Sequence, residues 1–185
     1  VGIGVTGGYY QYNKLLKISK AIYKSQHNPF YVIAGHGPSP EPEYFLNKTN
    51  ANAVVRGEGE RTIVELLEAL KNGIKLKNVN GIAFKNNKNE AVITDSRELI
   101  KNIDNIPFPA WDLFPIDYYS LLRLPGIENN ERCMPVLSSR GCVFECNFCY
   151  RMDKGYRPRS PENIVKEIKY LKEKYNISYI EFSDE

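Results

Sequence analysis

From Val1 to about Gly73, short apolar runs alternate with stretches of helical periodicity. Val1 to Thr6 reads as a strand that leaves through Gly7-Gly8. Leu15, Ile18 and Ile22 then mark one helical face, and Phe30 to Ala34 forms the next strand. After Gly35-His36-Gly37-Pro38 a short helix over Glu43 to Lys48 leads to a strand at Ala53 to Arg56. Ile63, Leu66, Leu67 and Leu70 stripe the following helix, which Gly73 ends. Strand and helix alternating in this way predict a parallel sheet with helical crossovers.

The rhythm changes after Ile74. Gly81 to Lys85 and Ala91 to Thr94 flank the polar turn Asn86-Asn87-Lys88-Asn89 and predict a hairpin. A Pro- and aromatic-rich connector follows from Ile106 to Pro115, with Trp111 and Phe114 packing it against a neighbouring surface. Met134 to Ser138 reads as a strand. A helix over about Glu162 to Lys174 starts from Ser160 as N-cap and Pro161 in the first turn, with Ile164, Ile168 and Leu171 as its apolar stripe. Ser178 to Ser183 is the closing strand. The expected organisation is therefore an α/β chain in three parts. Residues 1–75 form a partial doubly wound parallel sheet, 76–130 a hairpin and linker, and 131–185 a strand, helix, strand unit of the kind that opens a partial TIM-type barrel. The chain begins and stops at apolar runs, which reads as a fragment of a longer protein.

Composition narrows the function little. The 25 basic and 22 acidic side chains leave a formal charge of +3, too weak to signal a nucleic-acid partner. No apolar run approaches the ~18 residues of a membrane span and no signal peptide is recognisable, so cytoplasm is the default expectation. Cysteine placement changes the picture more. Three of the four cysteines, Cys142, Cys146 and Cys149, fall in one short C-x-x-x-C-x-x-C loop, directly after a predicted strand. Closely spaced thiols outside a secreted disulfide framework point to metal or redox chemistry. Soft thiolates suit an iron–sulfur cluster, and three ligands for four irons leave one iron open. Two other readings compete. A zinc site would need Cys133 as its fourth ligand at an unusual spacing, and three core thiols would sit oddly beside Arg140, Glu145 and Asn147.

The loop, with Phe148 immediately before the last cysteine, resembles the signature of the radical S-adenosylmethionine superfamily. Ser138-Ser139-Arg140-Gly141 before it, Tyr156-Arg157-Pro158-Arg159-Ser160-Pro161-Glu162 after it, and the strand ending Phe182-Ser183-Asp184-Glu185 are similar to the cobalamin-dependent branch. That resemblance implies that Cys142, Cys146 and Cys149 hold a four-iron four-sulfur (4Fe-4S) cluster whose open iron chelates S-adenosylmethionine. One electron then cleaves the sulfonium to methionine and a 5′-deoxyadenosyl radical. Phe148 would lie against the adenosyl part. Asp184 or Glu185 would stand where many members contact the methionine amino group. Arg157 and Arg159 are candidates for a cofactor carboxylate or an acidic substrate.

The first half resembles the later part of a cobalamin-binding domain. Gly7, Gly8, Gly35 and Gly37 would let the bulky ligand approach the backbone at neighbouring strand ends, and Val55-Arg56-Gly57-Glu58-Gly59-Glu60 looks like the turn before the last helix of such domains. The whole would be an enzyme acting on an unactivated carbon of a small molecule or other substrate. Methyl transfer through cobalamin is the leading reaction, rearrangement or cyclisation a related one, and an external flavodoxin- or ferredoxin-type donor supplies electrons. The alternatives are a family member without cobalamin and a non-catalytic iron–sulfur or zinc module that uses Cys133.

Overall fold

The computed structural model describes residues 1–6, 8–121, 126, 128, 130–149 and 155–184. The chain divides into two compact units, Val1–Leu99 and Ile100–Glu185.

The first unit is built on a five-stranded sheet in the order β1 (Gly2–Gly4), β2 (Val32–Ala34), β3 (Ala53–Val55), β4 (Ile82–Lys85), β5 (Ala91–Ile93). The first three strands are parallel; β4 runs antiparallel to β3, and β5 antiparallel to β4. The predicted hairpin is thus the far edge of the first sheet rather than part of a separate connector, and the chain changes unit at Leu99, after it.

Alternation along the strands feeds two cores. Ile33, Val54 and Ala83 join Leu15 of α1 (Tyr9–Tyr23) and Leu46 of α2 (Pro42–Thr49) on one face. Val32, Ala53, Val55 and Ile82 join Leu66 and Ala69 of α3 (Gly59–Asn72) on the other. Side chains on successive strand residues point to opposite faces, so a buried three-residue strand serves both layers.

Two predicted helix faces are rotated. In α3 the buried residues are Thr62, Leu66 and Ala69, while Leu67 is 57% exposed. Leu66 is buried as expected, while 62 and 69 repeat the spacing of 63 and 70 one position earlier. In α1 the buried residues are Leu15 and Ser19, and Ile18 is exposed. Ser19 is accommodated because its hydroxyl is hydrogen-bonded to that of Tyr31 at 2.9 Å.

The second unit holds the parallel pair β6 (Cys133–Val136) and β9 (Tyr179–Phe182), joined by α5 (Pro161–Tyr175), and the short antiparallel pair β7 (Ser139–Arg140) and β8 (Arg157–Pro158). Its core is Ile116 of the short α4 (Ile116–Tyr119), Met134, Val136, Leu171 and Ile177, with Trp111 packed alongside. The helix start is as expected: Ser160 Oγ accepts the Asn163 N–H at 3.2 Å with Pro161 at the first position. Asn176 in the left-handed conformation ends it. Among the described residues no helix is long and apolar enough to cross a membrane.

Candidate functional site

The cysteine loop leaves from the C-terminal end of β6, and its base is closed by the β7–β8 pairing of Ser139 with Pro158 and Arg140 with Arg157. Gly141, with φ +80°, turns the chain from β7 into Cys142. None of the three loop cysteines is joined in a disulfide; Cys142 is half-buried, and Cys146 and Cys149 are exposed. A turn links the last two, the Cys149 N–H donating to the Cys146 carbonyl at 3.2 Å. Phe148 is 89% exposed. Among the described residues no three His, Cys, Asp or Glu side chains are gathered closely enough to hold a metal ion. The fit to a cluster therefore rests on the donor set, three soft thiols outside any disulfide on one hairpin-anchored loop.

Cys133 is separated from that loop. It begins β6, whereas the loop follows the strand's other end, about 10 Å of extended chain away or more. It is buried, which pushes its thiol pKa up. Both facts place Cys133 on the buried strand β6 rather than on the loop.

The base of the loop is held from several sides. The Arg159 N–H donates to the Ser138 carbonyl at 2.8 Å, and its Nη1 donates to the Leu137 carbonyl at 2.7 Å. The same guanidinium pairs with Glu167 at 2.6 Å, donates to Asn163 Oδ1 and lies over the Phe108 ring. Glu167 is only 2% exposed and also accepts the Trp111 indole N–H at 3.3 Å. Arg157 donates to the Ile100 carbonyl at 2.9 Å. Both arginines, which the sequence offered as anion ligands, have partners within the unit. Arg159 is engaged by a buried carboxylate and two carbonyls, and Arg157 ties β8 to the start of the unit.

Asp104 adds a further tie. Its carboxylate accepts the Ser160 N–H at 3.0 Å, and hydrogen bonding to Ser160 lowers its pKa.

At the end of β9, the Asp184 carboxylate accepts the Ser138 N–H at 2.6 Å, the Ser139 N–H at 3.1 Å and the Ser138 hydroxyl. Sequence reasoning placed Asp184 as a ligand contact, whereas the structure aims it at the lead-in to the cysteines. Glu185, the other candidate there, lies outside the described residues, as does Gly7.

In the first unit the exits of β1, β2 and β3 form one rim. The Val5 N–H donates to the Ala34 carbonyl at 2.8 Å, the Gly37 N–H to the Val5 carbonyl at 3.2 Å, and the Gly57 N–H to Ser39 Oγ at 3.1 Å. A Cβ on Gly35, where φ is +106°, would stand 2.4 Å from the Val5 carbonyl oxygen. Contact between neighbouring strand exits therefore accounts for glycine at 35 without any ligand. At Gly37 a Cβ would make ordinary contacts of 3.6 and 3.7 Å with Val5 and Phe45. Gly8 and Gly57 have positive φ and nothing within 4 Å of a Cβ position, so they leave open backbone at the rim. That much of the glycine pattern fits a bulky ligand. His36 is exposed on the same rim.

Comparison with known proteins decides the family. The whole chain aligns at 37% identity with 39% of an uncharacterized methyltransferase of Pyrococcus horikoshii. It also superposes over its full length on 25% of OxsB, a cobalamin-dependent S-adenosylmethionine radical enzyme, in the form with aqua-cobalamin and S-adenosylmethionine bound. The TM-score is 0.79 at 26% identity. The chain belongs to the cobalamin-dependent radical S-adenosylmethionine family. A further relative of this radical family member, at 29% identity over 98% of the chain and 32% of its own length, is the anaerobic magnesium-protoporphyrin IX monomethyl ester cyclase of Rubrivivax gelatinosus. The chain thus spans about a third to two-fifths of the length of these two curated relatives. No protein-family model matches it.

Proposed function

We propose that this chain is the cobalamin-rim and cysteine-loop portion of an enzyme that reductively cleaves S-adenosylmethionine and methylates an unactivated carbon. The observation that carries the reading is alignment of every part of the chain, rim and loop together, with a methyltransferase at 37% identity. Cyclisation is the second reading, carried by the 29% identical cyclase.

Cys142, Cys146 and Cys149 would hold a 4Fe-4S cluster. When bound, that cluster supplies the electron that breaks the sulfonium carbon–sulfur bond. The chain's own part is to present three thiolates from an anchored loop and to place Phe148 beside them as an apolar surface for the adenosyl group. Gly8, Gly35, Gly37 and Gly57 line the rim at which cobalamin would approach the backbone. A cytoplasmic setting, where thiols stay reduced, and an external low-potential electron donor complete the proposal.

The test uses the full-length protein, reconstituted anaerobically with iron and sulfide. The expected result is a cluster whose electron paramagnetic resonance spectrum changes on adding S-adenosylmethionine, together with binding of added cobalamin. Cys142→Ala, Cys146→Ala and Cys149→Ala should each remove most of the iron, and Cys133→Ala should leave it in place. A cluster indifferent to S-adenosylmethionine, or equal iron loss from Cys133→Ala, would refute the reading in favour of a fully ligated binding module. Normal cluster behaviour without cobalamin binding would point to a family member that lacks that cofactor.

A further inference from the structure

Two residues, Leu137 and Ser138, connect β6 to the hairpin that carries the cysteines, and this lead-in is fixed from two directions. On one side Arg159 takes the carbonyls of Leu137 and Ser138. On the other, β9 continues one step past its last ladder pair, Val136 with Phe182, because the Ser183 N–H donates to the Val136 carbonyl at 3.2 Å. This step brings Asp184 opposite Ser138, where its carboxylate takes both adjacent N–H groups and the serine hydroxyl. Ser139 and Arg140 are then paired with β8, so only Gly141 separates the anchored chain from Cys142.

We propose that Asp184 is a positioning residue for the cysteine loop: from the end of the second parallel strand it fixes the backbone from which Cys142 is presented. The inference rests on the proposed role of the three cysteines and deepens it, since it gives Asp184 a task other than contact with S-adenosylmethionine. The chemistry suits the task. A carboxylate is an acceptor only, and adjacent N–H groups at the end of a strand are donors without a ladder partner. Asp184 is exposed, unlike the Arg159–Glu167 pair, so its replacement perturbs the lead-in without opening the core of the unit.

The experiment compares full-length wild type with Asp184→Ala, Asp184→Asn and Ser138→Ala. In the cluster-free proteins, amide exchange over residues 138–142 should rise in Asp184→Ala while exchange in α5 and the melting temperature stay close to wild type. In the reconstituted proteins, transfer of iron to a ferrous chelator should be roughly tenfold faster in Asp184→Ala, the scale of losing hydrogen bonds to a charged acceptor. Its reduced-cluster resonance should also broaden. Asp184→Asn, whose amide oxygen still accepts from the backbone, should fall between the two, and Ser138→Ala nearer to wild type. If Asp184→Ala does not fold, the other two variants carry the comparison.

Unchanged exchange and unchanged iron release would overturn the proposal. So would a loss of S-adenosylmethionine affinity with cluster retention intact, which would make Asp184 a ligand contact instead. If wild type takes up no cluster, the proposed function fails, and the exchange measurement alone still decides whether Asp184 holds the lead-in.

Discussion

Replacing Gly35 with alanine separates the architecture of the rim from its ligand. The new methyl would lie 2.4 Å from the Val5 oxygen, 2.9 Å from its nitrogen and 3.0 Å from its carbonyl carbon, all backbone atoms that cannot swing aside. Moving Val5 strains the two hydrogen bonds that join the β1 and β2 exits. The φ of +106° adds a penalty of its own. Left-handed backbone costs a residue with a Cβ ~1–2 kcal/mol, and forcing a methyl into filled space a further ~1–3 kcal/mol. The expected loss is therefore ~2–5 kcal/mol, a large part of the ~5–15 kcal/mol that holds a typical domain folded. With a urea dependence of about 2 kcal/mol per M, the unfolding midpoint of the first unit should fall by ~1–2.5 M.

Circular dichroism would follow the transition. The single Trp111 lies in the second unit, so its fluorescence serves as an internal control. Gly37→Ala, whose methyl meets only ordinary contacts, should shift the midpoint by less than about 0.5 M. If both variants behave alike, the close approach at Val5 does not explain Gly35. The residue would then have to be accounted for by a ligand.

Other outcomes follow from the second unit. Arg159→Ala leaves the Glu167 carboxylate buried without its cation and should destabilise that unit by ~3–5 kcal/mol, read from Trp111 fluorescence in urea; the double variant with Glu167→Gln should recover part of the loss. Asp104 has a pKa lowered by its bonds to Ser160, so it favours the folded state above its unfolded pKa of about 3.9, and that contribution disappears as pH falls through the still lower folded value. Asp104→Asn should therefore flatten the acid limb of a stability profile below about pH 4 and have its full effect at neutral pH. Cys133, buried and with its thiol pKa raised, should resist alkylation at neutral pH until urea unfolds the unit, whereas Cys146 and Cys149 should react at once in cluster-free protein.

The short apolar runs at Phe30 to Ala34 and Ala53 to Arg56 made the strands legible, and Ser160-Pro161 marked a helix start that the structure places within a residue or two. Helix rotation was harder to read, because Ile63, Leu67 and Leu70 have the same spacing as Thr62, Leu66 and Ala69, and only the approach of the sheet selects between them. Glu167 was hidden among the many charged residues between Pro161 and Tyr175. Its position, three residues after Ile164 and four before Leu171, was the available signal, since that places it in the middle of the apolar stripe. The clamp by Asp184 depends on the parallel register of β9 with β6. A contact across 46 positions of sequence has no local signature.

The β7–β8 pairing bears on the cost of closing the cysteine loop. Bringing together the ends of an unfolded segment of roughly 16 residues costs about 2.5 kcal/mol of chain entropy on the (3/2)RT ln n scaling. The hairpin and the strand–helix–strand unit around it meet that cost during folding. The proposed cluster would then assemble on Cys142, Cys146 and Cys149 within a loop whose two ends are already paired. Folding and loading become separable events, unlike those of a zinc finger, whose chain has no fold until the metal arrives.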